Sequence, residues 1–530
     1  MMQSKKQQNS TQGDNRISFF CCILKILICG LTICILFCKT DSLVDIYVLP
    51  KWLAGLFIAG ITIPLLIIGH VYLKRSGFTK EEFIRCMGII VILQAAWGWC
   101  KLFVIKDSIV MVGAFENPAG FASCLVIGLP FILNICGKKY WTIVSFAFIF
   151  ISIILSQSRA GVFCCISMLL VCQCVDIKIA LCPVHKVILL ITFSVVFIWG
   201  LSHLKQGSSQ GRVFIIERCV DIIKEHPLGL GIRGFSTHYM KYQEIYFREH
   251  PDSPAVMLAD DIKVPLNEYL CITVNYGLPG ILLLMSLIVG VFIFCYNKRI
   301  SYKNPFVLSF IQILVFSFFS YPLQYPFTWF ILVCILCYLY QSFIIKVLNR
   351  TFVFSIIGIL GGVYLVVYTS MNYIEERKWG MLYDESSYIQ SKNLESLYES
   401  IYEEKKSDPF FLYKYATILL DVNNYNRCEE ILNERQRCVY DYSQAILWAQ
   451  YFSQQNNYLV AANFYSNASN MCPSKFYPLY KLYMIHKRLR NINEQRNLRK
   501  RILNKKIKID SDEVRLLRNA ILNDTITLNL

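Results

Sequence analysis

Arginine is the side chain best suited to bidentate contact with phosphate, because its planar fork of N–H donors meets two oxygens at once. Arg159 lies in Ser156-Gln157-Ser158-Arg159-Ala160-Gly161, where two apolar runs join. An arginine at membrane depth is expensive and marks a use. The plainer alternative is an interfacial arginine paired with lipid headgroups. Arg212 follows Gly211, just ahead of a helix predicted over 213–224. Next comes His226-Pro227-Leu228-Gly229-Leu230-Gly231-Ile232-Arg233-Gly234-Phe235, whose glycines permit tight turns and close approach of a ligand. No strand precedes it, so it is no dinucleotide fingerprint. Asn117-Pro118 fits a turn into a helix N-terminus, which favours an anion; a plain turn and cap would read the same. Asn267-Glu268-Tyr269-Leu270 opens an apolar run holding Asn275-Tyr276-Gly277-Leu278-Pro279-Gly280. The Asn-Glu pair either faces a cavity or simply starts an interfacial helix.

These segments are positioned by a chain that is 55% hydrophobic and only 17% charged, with a mean hydropathy of +0.44. Soluble domains carry about a quarter charged residues, so the composition points to membrane. The net charge of +17 does not point to nucleic acid, because many of the cations sit in short loops between apolar runs, where a topology signal explains them. Most of the 22 cysteines are embedded in those runs, where a thiol acts as a small hydrophobe. No CxxC pair lies near a second one, so a zinc site is not expected. Cys428, Cys438 and Cys472 stand in the polar tail, and the sequence leaves open whether two of them pair.

Apolar runs long enough to cross a bilayer fall near 18–38, 52–73, 85–105, 119–136, 140–156, 160–175, 187–203, 267–296, 305–321, 326–345 and 351–370. The expected fold class is therefore all-α: a polytopic membrane bundle of about eleven spans after a polar N-terminal tail, 1–17. With that tail cytoplasmic, the inside loops hold fifteen cations: Lys5, Lys6, Arg16, Lys74, Arg75, Lys80, Lys138, Lys139, Lys178, Lys186, Lys298, Arg299, Lys303, Lys346 and Arg350. The short outside loops hold three: Lys51, Lys106 and Arg159. The positive-inside rule then fixes the orientation. It leaves the loop 204–266 and the tail 371–530 outside the cytoplasm, with 18–370 as the transmembrane domain.

The tail reads as helical hairpins. Asn423-Asn424-Tyr425 recurs as Asn456-Asn457-Tyr458, with a weaker echo in Arg490-Asn491-Ile492, a period of about 34 residues that is similar to tetratricopeptide repeats. An irregular helical domain is the alternative. Either surface suits a protein partner or the positioning of a glycan, and neither carries a catalytic constellation.

Taken in order, Asn117-Pro118, Ser158-Arg159, Gly211-Arg212, the 227–231 glycine loop with Phe235, and Asn267-Glu268-Tyr269-Leu270 with Gly277-Leu278-Pro279-Gly280 resemble the O-antigen ligase and polymerase superfamily of bacterial envelope glycosyltransferases. The resemblance covers about 100–345. It implies an enzyme of the bacterial inner membrane that takes a glycan from an undecaprenyl-pyrophosphate-linked donor to a lipid, glycan or protein acceptor, with no cofactor and no metal. It assigns Arg159 and Arg212 to the pyrophosphate, where they would stabilise its developing charge. Asn117, Arg233, Asn267 and Tyr269 would bind substrate. Ligases of the family place a histidine immediately before the Asn-Glu-Tyr-Leu element, as the base for the acceptor hydroxyl. Here that position is Leu266. Glu268 and His238 become the candidate bases, with His250 and His203 behind them. That departure leaves ligase, polymerase and protein O-glycosylation open; a transporter or a non-catalytic scaffold is the rival class.

Overall fold

A computed structural model of the chain describes residues 2–73, 79–106, 108–134, 139–176, 206–341, 344, 352–386 and 391–524. Among them the chain is all-α, with no strand. It divides into two compact units: Met1–Leu201 with Ile288–Asp384, and Ser202–Leu287 with Glu385–Leu530.

The first unit holds helices α1 (Met2–Phe37), α2 (Leu49–Leu73), α3 (Lys80–Trp99, continued by a π-helical turn, Cys100–Ile105), α4 (Pro118–Ile132), α5 (Lys139–Leu155) and α6 (Arg159–Asp176). Apolar runs become helices because hydrocarbon offers no other partner to the backbone. The α4 helix forms the centre: every residue from Gly120 to Ile132 is buried, among α3, α5 and α6 and a later helix, α10 (Pro305–Ser317). Small residues allow this approach. A Cβ at Gly128 would stand 2.4 Å from Val91 Cγ2. Phe83, Phe131 and Phe306 fill the space beside it, with ring centroids 5.5–6.0 Å apart.

Ten of the eleven expected spans coincide with helices, α9 (Glu268–Asn297), α11 (Pro326–Leu339) and α12 (Phe352–Glu385) completing the set; the run at 187–203 lies outside the described residues. Among the described residues five helices are long and apolar enough to cross a bilayer by length and composition, while α4, α5, α6, α10 and α11 are shorter apolar helices. The chain is a multi-pass membrane protein. The α1 helix begins at Met2, ahead of the first apolar run, and α12 continues past Ser370 to Glu385.

The second unit joins the long loop to the tail. Its loop portion forms α7 (Gln206–Glu225) and α8 (Gly234–Glu249). Ile215, Cys219 and Ile222 recur at helical spacing on α7 and pack with Phe235, Tyr239 and Met240 of α8 and Val274 of α9. Ala445, Ala468, Met471 and Cys472 of the tail belong to the same core. At its centre the fully buried Gln243 donates to the carbonyls of Asp260 (3.0 Å) and Met471 (2.5 Å) and accepts from Tyr239 Oη (3.1 Å). A buried amide keeps its place only when its donors and acceptor are met, so Gln243 fixes α8 to both loop and tail.

After two short helices, α13 (Ser391–Ser400) and α14 (Tyr402–Lys405), the tail repeats a hairpin: α15 (Pro409–Asp421) with α16 (Tyr425–Cys438), α17 (Tyr442–Gln454) with α18 (Tyr458–Met471), and α19 (Tyr477–Arg488) with α20 (Ile492–Asn504). The recurring triplets are its turns. Asn423, Asn456 and Arg490 each adopt a left-handed φ near +60°. Each is followed by an asparagine whose side chain caps the next helix: Asn424 to Arg427 N, Asn457 to Val460 N, and Asn491 to Glu494 N. Asparagine tolerates the left-handed region and is a preferred N-cap. Cys428 and Ala461, three residues into their helices, are wholly buried, as close hairpin stacking requires.

One ion cluster also joins loop to tail. The Asp441 carboxylate is bound by both Arg435 guanidinium nitrogens (3.1 and 3.2 Å) and by Lys263 Nζ (2.5 Å). Burial alone would raise its pKa; Arg435 and Lys263 outweigh burial and hold it at about 2. A carboxyl depressed below its unfolded value stabilises the fold above about pH 4, and that contribution fades as the pH falls toward 2. Asp441→Asn leaves Arg435 buried without its counter-charge. It should destabilise the unit by about 3–5 kcal/mol, read as a lowered midpoint in denaturant at pH 7 that converges on the wild-type midpoint at acid pH.

Candidate functional site

Two of the expected site residues belong to the first unit. Asn117 is the N-cap of α4: its Oδ1 accepts from Gly120 N at 2.9 Å, and Pro118 takes the first helical position. Its amide also lies 3.0 Å from Tyr325 Oη, and the Tyr325 ring meets Phe115 edge-on at 5.4 Å. Asn117 thus performs structural work that its neighbours in sequence do not reveal. The buried Lys51 closes this corner by donating to Ala114 O at 2.9 Å. Arg159 opens α6. Gln157 takes a left-handed turn (φ +56°), and Ser158 Oγ accepts from Gly161 N at 3.2 Å. This sharp turn sets a half-buried arginine at a helix N-terminus, where N–H groups and dipole both favour an anion.

The other six belong to the second unit. Arg212 lies inside α7, which starts at Gln206 rather than after the Gly211-Arg212 pair. The expected boundary came too late because Gly211 reads as a helix breaker. A Cβ at Gly211 would meet no atom nearer than 3.9 Å, so nothing there demands a glycine, and the helix runs through it. Asn267 caps α9, its Oδ1 accepting from Leu270 N at 3.1 Å. Glu268 then stands in the first turn, where the helix dipole favours a carboxylate, and Tyr269 follows it, half-buried.

The tight turns expected of the loop glycines are present, and Gly229 also makes a close approach to another backbone, that of Gly277. The α9 helix is broken at Gly277 (φ +66°, ψ −166°), and the loop lies against the break. Leu230 N donates to Val274 O (3.1 Å), Gly231 N to Asn275 O (2.8 Å) and Leu278 N to Pro227 O (2.8 Å). The Asn275 side chain accepts from Phe235 N at 3.0 Å. A Cβ at Gly229 would lie 2.4 Å from Gly277 N, and one at Gly277 would lie 2.3 Å from the Leu228 carbonyl carbon. The two glycine-bearing motifs are therefore the two halves of one clamp. Sequence marked each alone, but nothing in their separation along the chain announced the pairing.

Arg233 and His238 share a cleft of about 720 Å³ with Thr237, Lys241, Glu429 and Trp448. Arg233 also donates to Ser407 O at 3.0 Å. His238 Nδ1 lies 2.8 Å from Thr237 Oγ1 and 3.2 Å from Gly234 O. Thr237 already donates to Arg233 O, so the Nδ1–H tautomer satisfies the set and leaves Nε2 able to take a proton. Burial lowers the pKa of His238, and the ring is neutral at pH 7. Of the further candidates, His250 is exposed and stacks on Tyr246 at 4.8 Å, while His203 lies outside the described residues. Leu266 adopts φ +54° and packs against the core shared by loop and tail.

Residues 144–285 match the family model described as O-antigen ligase. This match supports a place for that segment in the O-antigen ligase and polymerase superfamily. The O-antigen ligase match takes in Arg159, Arg212, the whole clamp and the Asn267-Glu268-Tyr269 element, and leaves Asn117 outside. No curated protein and no solved structure matches the chain. An O-antigen ligase domain in a multi-pass membrane protein supports a role in joining or polymerising envelope glycans.

Proposed function

We propose that the protein is a glycosyltransferase of the bacterial inner membrane that transfers or polymerises an undecaprenyl-pyrophosphate-linked oligosaccharide on the periplasmic face. The O-antigen ligase match over 144–285 carries this reading, because it takes in both arginines on which the chemistry rests. The charge bias of the loops supports the orientation, with the N-terminus cytoplasmic. In the reaction, the acceptor hydroxyl attacks the anomeric carbon, the bond from that carbon to the pyrophosphate oxygen breaks, and the carrier leaves as lipid pyrophosphate. Arg159 and Arg212 each contribute guanidinium contact to phosphate oxygens, offsetting the charge that develops as the carrier leaves. Neither a metal nor a cofactor enters this scheme.

The acceptor proton goes to Glu268 or His238. His238 is the better-prepared base, because it is neutral at pH 7 with Nε2 available. A base of lowered pKa stays active to below its ordinary titration near 6.5 and fails on further acidification. His238→Gln should cost about a hundredfold or more in transfer rate and remove that acid limb from the pH profile. An unchanged profile would move the role to Glu268.

The apolar, core-packed Leu266 favours a second reading. Without the histidine that the resembled ligases use there, the acceptor is open to a growing glycan or a protein hydroxyl as well as a lipid core. The product of a null strain separates them: single repeats still attached indicate a polymerase, polymer retained on its carrier indicates a ligase.

A further inference from the structure

The break in α9 divides it into two parts of different character. Leu278–Asn297 comprises twenty residues, about 30 Å of helix, which is the hydrocarbon thickness of a bilayer. Tyr276 and Tyr296 stand exposed at its two ends, as in the aromatic belts of membrane spans. Lys298 and Arg299 follow the second. Along it Leu278, Leu282, Leu283 and Leu287 are exposed, the pattern of a face turned to lipid. A bilayer crossed by this segment would have Gly277 at the boundary between hydrocarbon and headgroups.

The glycine loop is tied to that boundary by backbone hydrogen bonds at Val274, Asn275 and Leu278. Its tip carries Leu228 and Ile232, 78% and 77% exposed. A loop in water gains nothing by presenting two large aliphatic side chains, whereas a loop fixed at the edge of the hydrocarbon does. Leu228, Tyr276 and Leu278 belong to the clamp, and Ile232 follows directly on its Gly231.

We propose that the 227–232 loop is inserted into the leaflet adjoining the Gly277 break, with Leu228 and Ile232 among the lipid acyl chains. The clamp then sets the depth of the loop, and the bilayer becomes a wall of the region that holds Arg233 and His238. The contact of Gly229 with Gly277 has a purpose in this arrangement: it lets the loop lie flat against the span at the depth where lipid begins.

The test uses the full chain in phosphatidylethanolamine–phosphatidylglycerol vesicles, with an environment-sensitive fluorescent amino acid at Ile232 or Leu228. The exposed Asp252, elsewhere in the same loop region, is the reference position. Insertion predicts severalfold stronger quenching by acyl-chain nitroxide lipids at 232 and 228 than at 252, and protection from aqueous iodide at the same two positions. Iodide quenching equal to that at 252 would overturn the proposal. So would protection from iodide without nitroxide quenching, which would mean that protein covers the tip.

Discussion

Arg159→Ala and Arg212→Ala should each lower glycan transfer by about a hundredfold to a thousandfold while the protein still reaches the membrane. That is the cost of deleting one preorganised donor from a site of developing charge, about 3–4 kcal/mol. Lysine replacements should recover part of the charge but not the bidentate geometry, so Arg159→Lys and Arg212→Lys should fall between wild type and alanine. The measurement is the surface glycan made by a null strain carrying each variant, normalised to membrane protein. Normal glycan length and attachment in both alanine variants would leave the chain as a scaffold whose tail does the work. Arg159 also terminates a turn built by Gln157 and Ser158. The melting temperature of its alanine variant should therefore be checked beside activity, and should move little.

The second large effect concerns the clamp. Gly277→Ala must hold a Cβ at φ +66°, ψ −166°, a region open essentially to glycine alone, at a cost of about 1–3 kcal/mol. The same Cβ would sit 2.3–2.6 Å from backbone atoms of Leu228, Pro227 and Gly229, and backbone cannot rotate aside. Gly229→Ala meets the reciprocal clash at 2.4–2.6 Å. Either change should open the loop, expose it to protease and abolish transfer. Gly231→Ala is the control: its φ of +91° is equally left-handed, but nothing lies within 4 Å of the added carbon. It should cost only the backbone strain, about 1–2 kcal/mol, and retain most activity. Equal behaviour of the three variants would mean that strain, not the clamp, is what their loss reports.

Much of the fold was legible because a bilayer imposes it. Runs of apolar residues have one way to satisfy their backbones in hydrocarbon, so helices fall at ten of the expected spans. The tail was legible for a different reason. The Asn-Asn-Tyr triplets encode a left-handed residue followed by an N-cap, a local geometry that repeats wherever the residues do. What remained hidden was non-local. Asn117 reads as a cap, and it is one; its bond to Tyr325 joins two distant parts of the chain that no spacing rule connects. Gly229 reads as a turn and Gly277 as one residue of an apolar run, and only their contact shows that each exists for the other. Gln243 looks like one more polar residue on an amphipathic helix, yet it is the buried tie between loop and tail. The position of Arg212 shows the reverse error: glycine propensity suggested a helix start, and packing carried the helix through it.

Whether the chain moves a glycan off a lipid pyrophosphate is tested most directly with purified protein in vesicles loaded with radiolabelled undecaprenyl-pyrophosphate-linked oligosaccharide and an acceptor. The expected result is loss of label from the carrier, matched by released undecaprenyl pyrophosphate and by label on acceptor or lengthened glycan, all of it dependent on Arg159 and Arg212. Label that crosses the bilayer still joined to its pyrophosphate, or that stays on the carrier unchanged, would contradict it.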